Sequence, residues 1–238
     1  MKLDILAFGA HPDDVELGAA ATIAKEISLG KKVGIVDLTQ GELGTRGSKE
    51  LRKVEASKAA KVLGVSLREN LKFADGFFVN DKEHQIEVVK LIRKYKPEIV
   101  LCNAVDDRHI DHGKGSKLVS DACFLSGLQK IETILDGEVQ KKWRPKLVYH
   151  YLQWKNTSPD VVVDVSGFMD IKMDAVLAYT SQFYDSKSKE EETPISSKNF
   201  TESVQYRAKE LGRLIGVDHA EGFTVERHIA VTSLDKLI

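Results

Sequence analysis

The chain has 238 residues, with 35 basic against 36 acidic side chains and a formal net charge of -1, so neither nucleic acid nor an anionic membrane surface has an electrostatic claim on it. The length suits one domain with a sizeable core, and no linker divides it. Two cysteines without metal-clip spacing exclude a disulfide framework, and no leader-like start or run of about 18 apolar residues occurs, so a soluble, cytoplasmic protein binding a small molecule is expected.

The first element is a nearly continuous apolar run, Leu3 to Phe8, of the kind found in a strand covered on both faces. It stops abruptly at Ala10-His11-Pro12-Asp13-Asp14, and Val15 to Leu29 then carries apolar residues at helical spacing up to Gly30. His11 to Asp14 is therefore expected on a strand-to-helix turn, at the carboxyl end of a strand, where open parallel sheets bind ligands. Lys32 to Leu38 reads as a second strand, followed by a glycine-rich polar loop, Thr39 to Ser48, that is either a simple connection or a close approach to a ligand. Lys49 to Leu63 is a helix expected to turn Leu51, Val54, Ala59, Val62 and Leu63 inward. Arg52 sits in its first turn, where a cation opposes the helix dipole, a weak pointer to an anion contact.

A short segment at Leu71 to Phe73 precedes a helix over Gln85 to Tyr95 and a buried-type strand, Glu98 to Asn103. That strand also ends in a polar cluster, Asp106-Asp107-Arg108-His109-Ile110-Asp111-His112, before a helix expected over Gly115 to Leu128. Strands at Lys146 to Gln153 and Val161 to Val165, helices at Ile171 to Phe183 and Thr201 to Leu214, and a tail strand within Phe223 to Leu234 complete the pattern. Tyr184 to Lys198 is a solvated loop or, alternatively, a substrate lid. The fold expected is a single α/β domain, 1–238, with a Rossmann-like, largely parallel sheet and helices on both faces.

His11, Asp14 and His112 are ligand types that zinc accepts: two imidazoles and one carboxylate, leaving a position open for water. The same set serves iron(II), so composition leaves the metal open. Asp13 is the extra carboxylate and a candidate general base. His109 could, when protonated, stabilise an oxyanion or protonate a leaving amine, and Asp111 could orient an imidazole. Alone, His-Pro-Asp-Asp is ordinary turn chemistry with Asp14 as a helix cap, and His-x-x-His is weak. Two such clusters at the ends of two buried strands are hard to assign to chance. A non-catalytic sugar- or nucleotide-binding module would be expected to carry G-x-G-x-x-G after the first strand, where this chain has Gly9 followed by His11-Pro12-Asp13.

Ala10-His11-Pro12-Asp13-Asp14 with Glu16, together with His109-Ile110-Asp111-His112, resembles the two signatures of the zinc-dependent N-acetylglucosaminyl de-N-acetylases. The likeness extends to Thr39-Gln40-Gly41-Glu42, Gly44-Thr45-Arg46-Gly47, Leu51-Arg52 with Glu55, and Leu63-Gly64-Val65. Ala220-Glu221-Gly222-Phe223 and the length are most similar to the bacillithiol-pathway branch, which deacetylates N-acetylglucosaminyl malate. The resemblance implies His11, Asp14 and His112 as ligands of Zn2+, Asp13 as general base, and His109 as electrophilic or acid partner. It also implies Arg52 and Arg144 as contacts to an amino-sugar substrate, and a homo-oligomer. Where relatives offer a tyrosine near the last helix this chain has Phe200, so Tyr184 or Tyr206 would have to substitute, or oxyanion stabilisation falls to zinc and His109.

Overall fold

The computed structural model describes residues 1–233 and 235. Its main sheet follows the apolar runs: β1 (Ile5–Gly9), β2 (Val33–Thr39), β3 (Leu67–Phe73), β4 (Ile99–Cys102), and later β7 (Leu147–Tyr151), β8 (Val161–Asp164) and β9 (Ala220–Val225). A two-stranded hairpin, β5 (Ile134–Leu135) with β6 (Glu138–Val139), lies apart from it. The helices are α1 (Asp14–Ser28), α2 (Lys49–Leu63), α3 (Lys82–Tyr95), α4 (Ile110–Ser126), α5 (Met169–Leu177) and α6 (Lys198–Ile215).

The seven strands lie in the order β3-β2-β1-β4-β7-β9-β8. The pairs from β3 through β7 are parallel, and only β9 runs antiparallel to its neighbours β7 and β8. From β1 the chain works outward to β3, then returns to place β4 on the other side of β1. That reversal opens a crevice at the carboxyl ends of β1 and β4, where ligands bind in such sheets. Because β1 and β4 pair directly, Ile5 with Ile99 through Ala7 with Leu101, the two polar clusters that follow them must meet.

Strand alternation divides the core. Leu6 and Phe8 pack with Val88, Ile92, Leu118 and Val119 of α3 and α4 on one face. Ile5 and Ala7 pack with Val15, Ala19, Ile23 and Ala175 of α1 and α5 on the other. Helix ends follow local chemistry: Ser48 accepts from the Leu51 amide at 3.2 Å to start α2, and Gly64, at φ 72°, ends it.

Several expectations are corrected. On α2 the buried residues are Arg52, Glu55, Ala56, Ala59 and Leu63, whereas Leu51, Val54 and Val62 are exposed. The inward stripe keeps helical spacing but begins with two charged residues, tolerated inside because each is hydrogen-bonded. Glu55 accepts from the Ser181 amide and hydroxyl and from the Thr180 hydroxyl. Helix α4 starts at Ile110, so Asp111 and His112 lie in its first turn rather than ahead of it. Helix α5 ends at Leu177, and α6 starts earlier than Thr201, at Lys198, capped by Ser197, which accepts from the Phe200 amide at 3.1 Å. The tail strand comes earlier than expected, ending at Val225, and Leu234 lies outside the described residues. Among the described residues no helix is long and apolar enough to cross a membrane.

Candidate active site

The crevice is a cavity of about 610 Å³ whose floor is formed by the two turns. At the first, Gly9 lets the backbone fold back tightly, since a β-carbon there would lie 2.9 Å from the His11 carbonyl oxygen. Asp13 occupies the position before α1 with φ 114°, a conformation costly for a non-glycine residue and typical of functional sites. Its side chain makes no capping bond, so the carboxylate is not spent on the helix.

His11, Asp14 and His112 come together. The Asp14 carboxylate lies 3.5 Å from His11 Nδ1 and 3.0 Å from His112 Nε2. It is held by the His11 amide, by Asn103 Nδ2 and by Gln153 Nε2, each at 2.9 Å. Each imidazole is gripped from behind. His11 Nε2 faces Asp75 at 3.0 Å and Asp111 at 3.4 Å, and His112 Nδ1 faces Asp107 at 2.6 Å. His11 Nδ1, His112 Nε2 and an Asp14 oxygen are thus the atoms left to point inward, the arrangement by which carboxylates orient metal-ligating histidines. These residues fit a divalent cation bound by two nitrogens and one oxygen with positions to spare.

Electrostatics agree. Burial disfavours charge on both imidazoles, yet Asp111, Asp14 and Asp75 raise the pKa of His11 well above its ordinary value, and Asp14 and Asp107 push His112 up to about 9. The site attracts positive charge. His109 differs: burial and the positive neighbours His11 and His112 lower its pKa, favouring the neutral ring. Its Nδ1 accepts from the Asp111 amide at 3.3 Å, which leaves the proton of that neutral ring on Nε2. The side chain lines the cavity, with Nε2 the nitrogen left to face a bound molecule.

Burial also pushes the Asp13 carboxyl up to about 7, Asp14 adding to the rise and Arg52 opposing it. Arg52 Nη1 reaches Asp13 Oδ2 at 3.0 Å and also bonds the Pro12 carbonyl, while Nη2 donates to Gln182 Oε1 at 2.6 Å. The guanidinium therefore holds Asp13. Gly41, at φ 64°, is where the glycine-rich loop passes it: a β-carbon there would sit 3.3 Å from the guanidinium carbon. Gly41, Leu43, Gly44 and Thr45 of that loop line the cavity, as do Thr193, Pro194 and Ile195 of the segment before α6. Below, Glu16 and Asp37 share Arg68, which gives the acidic residue after the first cluster a buried partner.

Arg144 is not at the site. Its Nη2 donates to the Phe124 carbonyl at 2.8 Å and its guanidinium lies over the Phe124 ring. Arg144 lies just before β7, near the carboxyl end of α4, whereas α4 begins at the site. Phe200 lines the cavity, stacked between Trp154 and Phe183. Tyr184 and Tyr206 are exposed and are not among the lining residues. Sequence reasoning assigned no role to Asp75, Asn103, Asp107 or Gln153. Asn103 and Asp107 had a signal, standing at the end of the same strand as His109, while Asp75 and Gln153 arrive from loops only the fold brings close.

A Rossmann-like sheet that brings two histidines and an aspartate together beside a second, arginine-held carboxylate is the framework of a hydrolase of the α/β class. Residues 6–123 match the family described as PIG-L: GlcNAc-PI de-N-acetylase. A diacetylchitobiose deacetylase of Thermococcus kodakarensis is 30% identical over 189 residues, covering 75% of this chain and 70% of the relative. A conserved protein of Thermus thermophilus superposes with a TM-score of 0.85 at 33% identity, covering 98% of both chains. A 4-oxalmesaconate hydratase of Pseudomonas putida is 25% identical over 193 residues, covering 74% of this chain and 73% of the relative, so the same framework hosts more than one chemistry. The chain belongs to the PIG-L family of N-acetylglucosamine de-N-acetylases, and is a hydrolytic N-deacetylase.

Proposed function

We propose that the protein removes the acetyl group from an N-acetylglucosamine conjugate, with His11, Asp14 and His112 holding zinc. The observation that carries this reading is the convergence of three oriented metal-ligating side chains beside Asp13, a carboxylate with its pKa near 7 and no structural bond to a helix end. When bound, the cation supplies polarisation of the acetyl carbonyl and acidification of water. Asp13 takes the proton of the attacking water, a role suited to a base whose pKa lies near the working pH. The neutral His109 Nε2–H donates to the oxyanion as it develops. Asp13, now protonated, returns the proton to the glucosamine nitrogen as the C–N bond breaks, releasing acetate and free amine. Arg52 positions Asp13 throughout, and Asp75, Asp107 and Asp111 keep the imidazoles in their required tautomers.

The conjugate proposed is N-acetylglucosaminyl malate, on the likeness of Ala220 to Phe223 to the bacillithiol branch. In the structure that segment braces the first turn of the site through α1, because Glu221 accepts from the Thr22 amide at 2.7 Å and pairs with Lys172 at 2.6 Å. Chitooligosaccharide deacetylation is the second reading, supported by the Thermococcus kodakarensis relative. The test is amine release from the malate glycoside, diacetylchitobiose and free N-acetylglucosamine by chelated protein, with and without added zinc or iron(II). Zinc-restored release, fastest on the malate glycoside, supports both parts; faster release from diacetylchitobiose replaces the substrate, and no release with either metal removes the deacetylase reading.

A further inference from the structure

One buried cluster lies outside the cavity and takes no part in the chemistry above. His150, on β7, is 3% exposed, and the pairing of β4 with β7 sets it beside Cys102. Its Nε2 lies 3.0 Å from Glu226 Oε1, just beyond β9. Its Nδ1 lies 2.8 Å from Ser116 Oγ on α4, 3.0 Å from the Asn103 carbonyl oxygen and 3.3 Å from Cys102 Sγ. Ser116, His150 and Glu226 have the composition of a nucleophilic triad, but Ser116 is buried and none of the three lines the active-site cavity. The ring also lacks a nitrogen free to act as a base. A carboxylate on one side and a carbonyl on the other can only accept, so both nitrogens carry hydrogen. Burial lowers the pKa of His150, yet Cys102, Glu226 and the Asn103 carbonyl together raise it to about 10, which keeps the ring charged.

What the ring holds is the peptide that organises Asp14. The Asn103 carbonyl accepts from His150, and the amide on the other side of the same peptide, that of Ala104, donates to Gln153 Oε1 at 3.2 Å. Asn103 is fully buried; its Oδ1 accepts from the Ala10 amide at 2.8 Å, and its Nδ2 donates to Gln153 Oε1 at 3.0 Å as well as to Asp14. Turning this peptide would therefore move both side-chain amides that grip the Asp14 carboxylate. A ligand stays oriented only when the groups behind it are themselves fixed.

We propose that His150 is a positioning residue for the cation site: tied down by Glu226, it fixes the peptide joining Asn103 to Ala104, and through it the Asn103 and Gln153 amides that aim Asp14. This rests on the reading of His11, Asp14 and His112 as the cation's ligands. His150 takes no part in bond breaking.

Two amide side chains separate the two nitrogens of the ring. Asparagine places an N–H where Nδ1 stands and can keep the bond to the Asn103 carbonyl, whereas glutamine reaches the place of Nε2 and can keep the bond to Glu226. The test measures zinc Kd, by competition with a chelator, and the thermal midpoint of the metal-free protein for wild type, H150N, H150Q and H112A. Both His150 variants should lower the midpoint, because each loses one side of the ring. Only H150Q should weaken zinc, by about 10-fold, while H150N stays within about threefold of wild type. Equal losses of affinity in the two variants, or none in H150Q, overturn the proposal by reducing His150 to a support for the core. Should H150Q not fold, H150Q/E226Q, a neutral pair, takes its place with the same expected loss and the same refuting result. Wild type that binds no zinc, or H112A that binds it as tightly as wild type, removes the cation reading and this proposal with it; zinc lost in H112A but held unchanged in H150Q removes this proposal alone.

Discussion

The turns after β1 and β4 supply the same kinds of residue but are built differently. The first is short and closed: His11, Asp13 and Asp14 are all buried, Asp13 is held at a positive φ, and two carboxylates face one imidazole. The second is longer and open, with Arg108 and Ile110 lining the mouth of the cavity and a single carboxylate, Asp107, backing His112. The difference separates two demands on an active site. In the roles proposed, the base and one pair of ligands need fixed geometry, which burial and redundancy provide, whereas His109 must meet an incoming substrate, which requires access.

The sharpest way to break this comparison is at Asp13. D13A should retain metal, measured by elemental analysis, and lose about 10²- to 10⁴-fold in kcat, the usual contribution of a positioned base. Comparable loss on replacing His109 would mean that the open turn carries the proton transfer. Next in size are the carboxylates behind the imidazoles. D107N should weaken zinc binding about 10- to 100-fold, measured by competition with a chelator, because among the described residues Asp107 is the one carboxylate behind His112 Nδ1. D75N should cost less, since Asp111 still faces His11 Nε2. Equal losses would show that the redundancy at the first turn has no energetic value.

How much of this could be read from the chain depends on which signals are local. The strand-to-helix turns that carry His11, Asp14 and His112 were legible because an apolar run ending in histidine and aspartate is a local pattern. The parallel sheet was expected, but the direct pairing of β1 with β4 that brings the clusters together is a long-range contact that only the fold supplies. The inward face of α2 was not legible from apolar spacing, because Arg52 and Glu55 occupy it and their partners Asp13, Ser181 and Gln182 come from distant segments. Arg144 was misplaced for the complementary reason: a family likeness can nominate an arginine, but the side chain's direction is set by neighbours such as Phe124. β3 was under-read because Arg68, Glu69 and Lys72 interrupt its apolar pattern at the sheet edge.

Arg52 gives a smaller but more discriminating effect, carried by pH. Asp13 must be ionised to accept a proton, so activity falls as pH drops through its pKa. Burial holds that pKa high and Arg52 opposes the rise. In R52Q the opposing positive charge is gone, the carboxyl binds its proton more tightly, and the acid limb of the kcat/KM profile moves to higher pH. At a pH well above both limbs the variant should recover much of its turnover. If Arg52 instead gripped the substrate directly, R52Q would raise KM at every pH without moving the limb. An unshifted limb would remove Arg52 as the group that tunes Asp13.

The smallest expected effect is at Arg144, and it tests the boundary of the site. Its guanidinium lies over Phe124 and bonds that residue's carbonyl, an exposed contact near the carboxyl end of α4. Exposed contacts of this kind contribute little to stability. R144A should therefore leave kcat and KM within about twofold and shift the thermal midpoint by no more than a few degrees. If R144A instead raised KM for the malate glycoside well beyond twofold, the aglycone would reach the α4 side and Arg144 would belong to the site after all.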